Sequence, residues 1–150
     1  MEETLDLDLG NRTLRVTAHP AAHTDNDLSV LDLDSGTLWL GDLVFMEHVP
    51  VLDGSLKGWL EVLDVLASVP ARRAVPGHGP VQAQWPVAAH GTVRYLSFLR
   101  DETRAWLAGG GDLAGAQRQV AYGEAPRWRL FDRHHPRNVA AAVNEIEWED

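Results

Sequence analysis

A chain of 150 residues with 45% hydrophobic content is long enough to close one domain around a core and too apolar to be disordered. Its net charge of −9, without a basic run, excludes nucleic acid and an anionic membrane surface as main partners. No apolar stretch reaches the roughly 18–20 residues of a membrane span, and the absence of cysteine excludes disulfides, thiolate nucleophiles and Cys-rich zinc modules. The acidic start "MEETLDLDLG" has no apolar signal core. The expected compartment is cytoplasmic as the sequence is written, or periplasmic if an export signal precedes Met1.

Leu5, Leu7 and Leu9 alternate with Asp6 and Asp8, the period of a half-buried strand. Gly10 and Asn11 mark a turn, and "TLRVTA" follows as the partner strand. "HPAAHTDND" is polar and irregular and reads as a loop. "DLSVLDLD" and "TLWLGD" flank Ser35 and Gly36 as a second hairpin, so the first 45 residues predict antiparallel sheet. Ser55 then caps a helix in which Leu56, Trp59, Leu60, Leu63 and Leu66 keep one apolar face, with Trp59 in the core; Pro70 ends it. "RRAVP" predicts a short strand and "GHG" a tight loop.

Beyond Pro80 the pattern is helical. Pro86 opens a long helix through about Leu107, Gly109 to Gly111 end it, Asp112 caps a short helix over "DLAGAQRQV", and Pro136 opens a last helix through Val139, Val143 and Ile146. The expected organisation is an α/β unit over residues 1–80 with a helical extension over residues 81–150 packed on it, and no internal repeat.

Three strand-end loops each carry a potential metal ligand: His23 in "AHTDND", Asp42 in "LGDLVF" and His78 in "PGHG". A small residue precedes each (Ala22, Gly41, Gly77), which permits close approach of backbone and ion. Without cysteine, two imidazoles and a carboxylate form a plausible donor set for zinc or another borderline divalent metal. Taken singly, each has a plainer reading: a hydrogen-bonded histidine, a turn-forming aspartate. Asp25 and Asp27 read either as loop solvation and a cap or as carboxylates orienting His23. His48 in "FMEHVP" is a candidate for the site mouth, His90 is a packed or solvated helix residue, and His134 and His135 read as a surface turn or a substrate contact. Arg127 and Arg129 face either an anionic substrate or water.

Order and context add to this. "HTDNDLSVLDLDSGTLWLGDLVF…VPGHGP" resembles the second half of the metallo-β-lactamase fold, in which a His-Thr loop, a hairpin ending in Gly-Asp, a helix and a strand ending in Gly-His-Gly follow one another. The resemblance runs from about Leu5 to Pro80. The tail "WRLFDRHHPRNVAAAVNEIEWE" is similar to that of the subgroup called quinoprotein relay system zinc metallohydrolases, or SoxH-like proteins. The resemblance implies an α/β fold that is half of an αββα sandwich, with zinc as cofactor and hydrolysis of a small-molecule substrate as activity. It implies His23 as a ligand of the first zinc, Asp42 as the catalytic-centre bridge between two zincs, and His78 as a ligand of the second.

The sequence departs from the family in one respect. The signature His-x-His-x-Asp-His of the first half is absent; His19 and His23 are four apart, and His134 and His135 are adjacent. The expectation is therefore a weak or incomplete zinc site and an uncovered apolar sheet face that includes Leu28, Val30, Leu38 and Leu40. The chain would pair with itself as a homodimer or with a complementing N-terminal half. It would then act as a hydrolase only when complemented, or serve as a non-catalytic interaction module; alternatively the coding start lies upstream of Met1 and the complete enzyme is longer.

Overall fold

The computed structural model describes residues 3–148. Six strands form one sheet in chain order: β1 (Glu3–Asp8), β2 (Thr13–Ala18), β3 (Leu28–Asp32), β4 (Thr37–Phe45), β5 (Arg73–His78) and β6 (Ala83–Gln84). All neighbours are antiparallel except β4 and β5, which run parallel because α1 (Leu56–Ala67) carries the chain back between them. The helices α2 (His90–Ala108), α3 (Leu113–Gln119) and α4 (Phe131–Ile146) follow. This is an α/β half-sandwich, one mixed sheet with helices on one side, followed by a helical C-terminal region.

The caps follow the sequence. Ser55 accepts from the Gly58 N–H at the start of α1, and Asp112 accepts from the Gly115 N–H at the start of α3. On α1 the buried residues are Leu56, Trp59, Val62, Leu63 and Leu66, and the Trp59 indole donates to the Leu43 carbonyl at 2.9 Å. That bond fastens α1 across β4, over a face that includes Leu38 and Leu40.

Three sequence expectations are corrected. The segment after Pro80 is not wholly helical: β6 adds a two-residue strand to β5 before the helices begin. The last helix does not open at Pro136 but at Phe131, because Leu130 takes a left-handed conformation that turns the chain there and Phe131 buries its ring in the core. Pro136 falls inside the helix, where its carbonyl accepts from Gln117.

The third correction concerns the apolar face. Strand alternation puts Leu38 and Leu40 under the helices, each about 1% exposed, while Leu28 and Val30 share the opposite face with Trp39. On that opposite face, Leu5, Val16, Val30, Trp39 and Val75 stand in one cross-strand row over five strands. Leu7 and Leu14 pair on the same face of the first hairpin, whereas Thr4, Asp6, Arg15 and Thr17 look the other way. The first hairpin thus turns its apolar side away from the chain's own helices. Leu5, Leu28 and Trp39 are 59%, 52% and 40% exposed.

The helical layer holds a buried polar chain. Asn138 donates to the Tyr95 hydroxyl at 2.9 Å, Tyr95 donates to His135 Nδ1 at 2.9 Å, and His135 Nε2 donates to the Val120 carbonyl at 2.8 Å. His135 is completely buried, so the adjacent histidines do not form the expected surface turn. Burial holds the His135 pKa below its usual 6.5, outweighing the Val120 bond and Asp132 that act to raise it. Below that value the unfolded chain binds a proton that the folded chain refuses, so His135 takes stability away as pH falls through it. We expect the urea midpoint to drop between about pH 7.5 and about pH 5.5, and His135→Gln, less stable at the upper pH, to show a smaller drop over the same interval. Equal drops in both proteins would exclude His135 as the cause.

Candidate metal centre at the sheet rim

The rim is built around the end of β4. The pairing of β4 with β5 shifts register at Gly41, where φ is +51°, a left-handed value that glycine adopts without strain. The irregularity breaks the strand's alternation and delivers Asp42 to the rim, the re-aiming for which bulges near functional sites are known. On the neighbouring strand, His78 is the last residue of β5, and its Nε2 lies 3.4 Å from Asp42 Oδ1. Both side chains are about two-fifths exposed. Gly77 makes the approach possible: a Cβ there would meet Asp42 Oδ1 at 2.0 Å and the Asp42 nitrogen at 2.8 Å.

Phe45 closes the strand and organises the histidines. Its ring stacks on His78 with centroids 4.6 Å apart, and it touches His23 and His48, each at 5.7 Å. Its main chain is fixed from α2: the Phe45 N–H donates to the Thr92 hydroxyl at 3.1 Å, which donates to the Phe45 carbonyl at 2.9 Å.

His23 lies in the loop between β2 and β3, wedged between Phe45 and Trp59. Its Nδ1 is 3.5 Å from Asp27 Oδ1, and Asp27 in turn accepts from the Thr24 N–H and hydroxyl. Asp27 thus stands as the carboxylate behind His23, leaving Nε2 as the ring's other donor atom, an arrangement common behind metal-binding histidines.

The structure therefore gathers His23 and His78 around one phenyl ring and, of the three residues, joins only Asp42 and His78 directly. Among the described residues, no group of three or more His, Asp or Glu side chains is disposed to hold a metal ion. The donor types and the Gly77 cradle suit a divalent ion at the Asp42–His78 pair, which offers two ligands of the four that zinc ordinarily takes.

Two further residues border the rim. His48 stacks on His78 at 4.8 Å and meets His134 at 5.3 Å. Its Nδ1–H donates to the Val49 carbonyl at 2.6 Å, which leaves Nε2 as the ring's other hydrogen-bonding atom. His134 is half-buried, and its pKa is lowered first by burial and then by the electrostatic influence of His48, Arg133 and Arg137. The motif "FMEHVP" made His48 visible as a candidate, whereas Phe45 and Thr92 carry no motif signal. The loop bearing His48 is held by α4: Asn138 accepts from the Leu52 N–H and donates to the Pro50 carbonyl, and Glu145 accepts from the Ser55 hydroxyl and the Leu56 and Lys57 N–H groups.

A mixed sheet with β4 and β5 parallel and a crossover helix between them is the architecture of half a metallo-β-lactamase-like α/β sandwich, and solved structures of that superfamily share it. The chain is similar to a metallo-beta-lactamase from Pontibacter korlensis, with 25% identity over 63% of this chain and 46% of that one and a TM-score of 0.56. It is also similar to a metallo-beta-lactamase family protein from Thermus thermophilus, with 22% identity over 94% and 47% of the two chains and a TM-score of 0.67. The stereoselective inverting sec-alkylsulfatase Pisa1 from Pseudomonas sp. matches at 14% identity over 94% of this chain and 25% of its own, with a TM-score of 0.74. The chain thus spans less than half the length of each of these structures. No protein-family model and no curated protein matches it. No described helix is long and apolar enough to cross a membrane.

Gly77→Ala tests the cradle. The methyl group would press on the Asp42 carboxylate and on the backbone of Gly41 and Asp42, so the strands must part. We expect a loss of about 1–3 kcal/mol, the range for overpacking, read as a lower urea midpoint. An unchanged midpoint would mean that the strand ends are not in this close contact.

Proposed function

We propose that this chain is the second half of a zinc-dependent hydrolytic centre acting on a small-molecule substrate. Asp42 and His78 are its first two metal donors, and His23 is the third. The observation that supports this reading most directly is the Asp42–His78 contact over Gly77 at the rim. Zinc with an open coordination position supplies an acidified water and polarises a carbonyl or phosphoryl oxygen. The chain's own residues prepare for it: Asp27 backs His23, Phe45 sets the spacing of the imidazoles, and Gly77 leaves room for the carboxylate. The remaining ligands belong to a second layer laid on the open sheet face, so the site in this chain alone is weak. Within the superfamily we place the chain nearest the SoxH-like quinoprotein relay hydrolases, on the likeness of its tail.

Titrating the metal-free chain with zinc, followed by calorimetry, tests the donors. Asp42→Ala should weaken binding by more than about tenfold, since losing even an outer-shell partner of a metal ligand costs roughly 10–100-fold. The same affinity in the variant, or no zinc uptake by either protein, would overturn the assignment.

A second reading rests on a different observation, the cross-strand apolar row. We infer that this face is covered in solution, and an interaction module without activity of its own would cover it with a second copy through a two-fold interface. On a sizing column the wild-type chain then elutes as a dimer, and the double variant Val30→Lys, Trp39→Lys elutes as a monomer. A folded wild-type monomer would eliminate self-pairing and leave a complementing half as the covering layer.

A further inference from the structure

His48 and His134 are two imidazoles beside the rim that the hydrolytic reading leaves unused. They come from different layers, His48 from the loop after β4 and His134 from the first turn of α4. Main-chain pairing locks these two stretches together. The Arg129 N–H donates to the Glu47 carbonyl at 2.7 Å, and the Val49 N–H donates to the Arg129 carbonyl at 3.1 Å. At the junction Glu47 and Leu130 hold φ of 65° and 59°, left-handed values that side-chain-bearing residues avoid, and such strain clusters at functional sites.

The pairing sets the two rings 5.3 Å apart at their centres, with planes tilted by 39°. Two imidazoles that share one ion, each bonded at about 2.0–2.1 Å and a tetrahedral angle apart, have ring centres roughly 5 Å apart. The His48–His78 contact is as close, 4.8 Å, but there the rings stack with planes only 26° apart, so their in-plane lone pairs run side by side instead of converging. The donor atoms are available. His48 commits Nδ1 to the Val49 carbonyl and keeps Nε2, and neither that atom nor either ring nitrogen of His134 has a hydrogen-bond partner among the described residues. Both histidines are partly exposed, so an ion can reach them from solvent.

We propose that His48 and His134 form a two-imidazole site for a divalent transition-metal ion, separate from the Asp42–His78 pair. Among the described residues no third His, Asp or Glu joins them, so water completes the coordination. The surroundings choose the metal. Arg129 and Arg137 are matched by Glu47 and Asp53, yet Arg133 and Arg137 still act on His134 as positive charge. An ion there must gain more from its nitrogen donors than it loses to that field. This favours copper(II), the peak of the affinity order for first-row divalent metals, over zinc. Bound there, the ion ties the loop after β4 to α4, a clasp between the strand layer and the helical layer that exists only in the folded chain. This site stands independently of the hydrolytic reading of the rim.

The metal-free chain is titrated separately with Cu2+, Ni2+ and Zn2+ at about pH 7.5, above the ordinary imidazole pKa of about 6.5. Cu2+ should bind tightest, and the electron paramagnetic resonance spectrum of the one-to-one complex should show two nitrogen ligands. His134→Gln and His48→Gln should each weaken copper binding by more than about tenfold, since even an outer-shell partner of a metal ligand is worth that much, and leave one nitrogen in the spectrum. His134→Gln removes no side-chain hydrogen bond of the described residues, so the melting temperature of its metal-free form should be unchanged. Asp42→Ala should keep the copper affinity. No copper uptake, undiminished binding in both histidine variants, or a loss in Asp42→Ala equal to that in His134→Gln would overturn the site. In His134→Gln a zinc titration reports on the Asp42–His78 pair alone, so the two metal assignments stand or fall separately.

Discussion

The rim depends on how β4 is stopped. A strand end is ordinarily free to fray, but the Thr92 hydroxyl on α2 both accepts from and donates to the backbone of Phe45, and it is buried. A buried hydroxyl satisfied twice by one residue leaves that residue little freedom, because losing either bond strands a polar group away from water. Phe45 is thereby a fixed post, and three imidazoles from three separate stretches of chain lean on its ring. Asp42 and His78 meet because Gly41 bends one strand and Gly77 thins the other. The helical layer completes the arrangement from below through Asn138 and Glu145, which hold the loop leading from the rim into α1. The C-terminal helices are therefore part of the site's support.

The other side of the sheet states a different requirement. The two faces of the first hairpin are sorted, with Leu5, Leu7, Leu14 and Val16 on one (Glu3 at its end is the exception) and Thr4, Asp6, Arg15 and Thr17 on the other, and the apolar one looks away from the helices of this chain. Such sorting suits a face removed from water, the covering proposed above. The proposed metal donors fit the same picture: two that meet and a third across a phenyl ring are fewer than a closed zinc site takes. On the proposed reading, surface and site call for the same thing, a second layer, which is why hydrolysis and association are proposed for one chain on the same rim and sheet.

Much of this was legible in the sequence. The hairpins and the crossover helix with its serine cap follow from period-two alternation, helical spacing and turn chemistry, all local signals; the strand ends do not, since β4 runs past Asp42 to Phe45 and β5 runs on to His78, where the sequence reads as a loop. What was not legible depends on contacts between distant parts. Pro136 is a strong start signal, yet Leu130 turned the chain earlier because Phe131 had a place in the core. Alternation told that Leu38 and Leu40 share a face but not which face, since that is decided by where α1 docks. His135 looked like a surface residue until Tyr95 and Val120, 40 and 15 residues away, satisfied both ring nitrogens. Phe45 and Thr92 are ordinary residues in sequence and matter only through their partners.

The outer strand β1 carries one last consequence. It has a neighbour on one side only, and an unpaired strand edge invites further strands to add without limit, the route to fibres. Here that edge bears Glu3, Asp6 and Asp8, three carboxylates in six residues. Two such edges brought together would repel, so growth by strand addition is discouraged while the broad apolar side stays available. Assembly of this molecule is thus biased toward closed, countable complexes rather than open-ended ones.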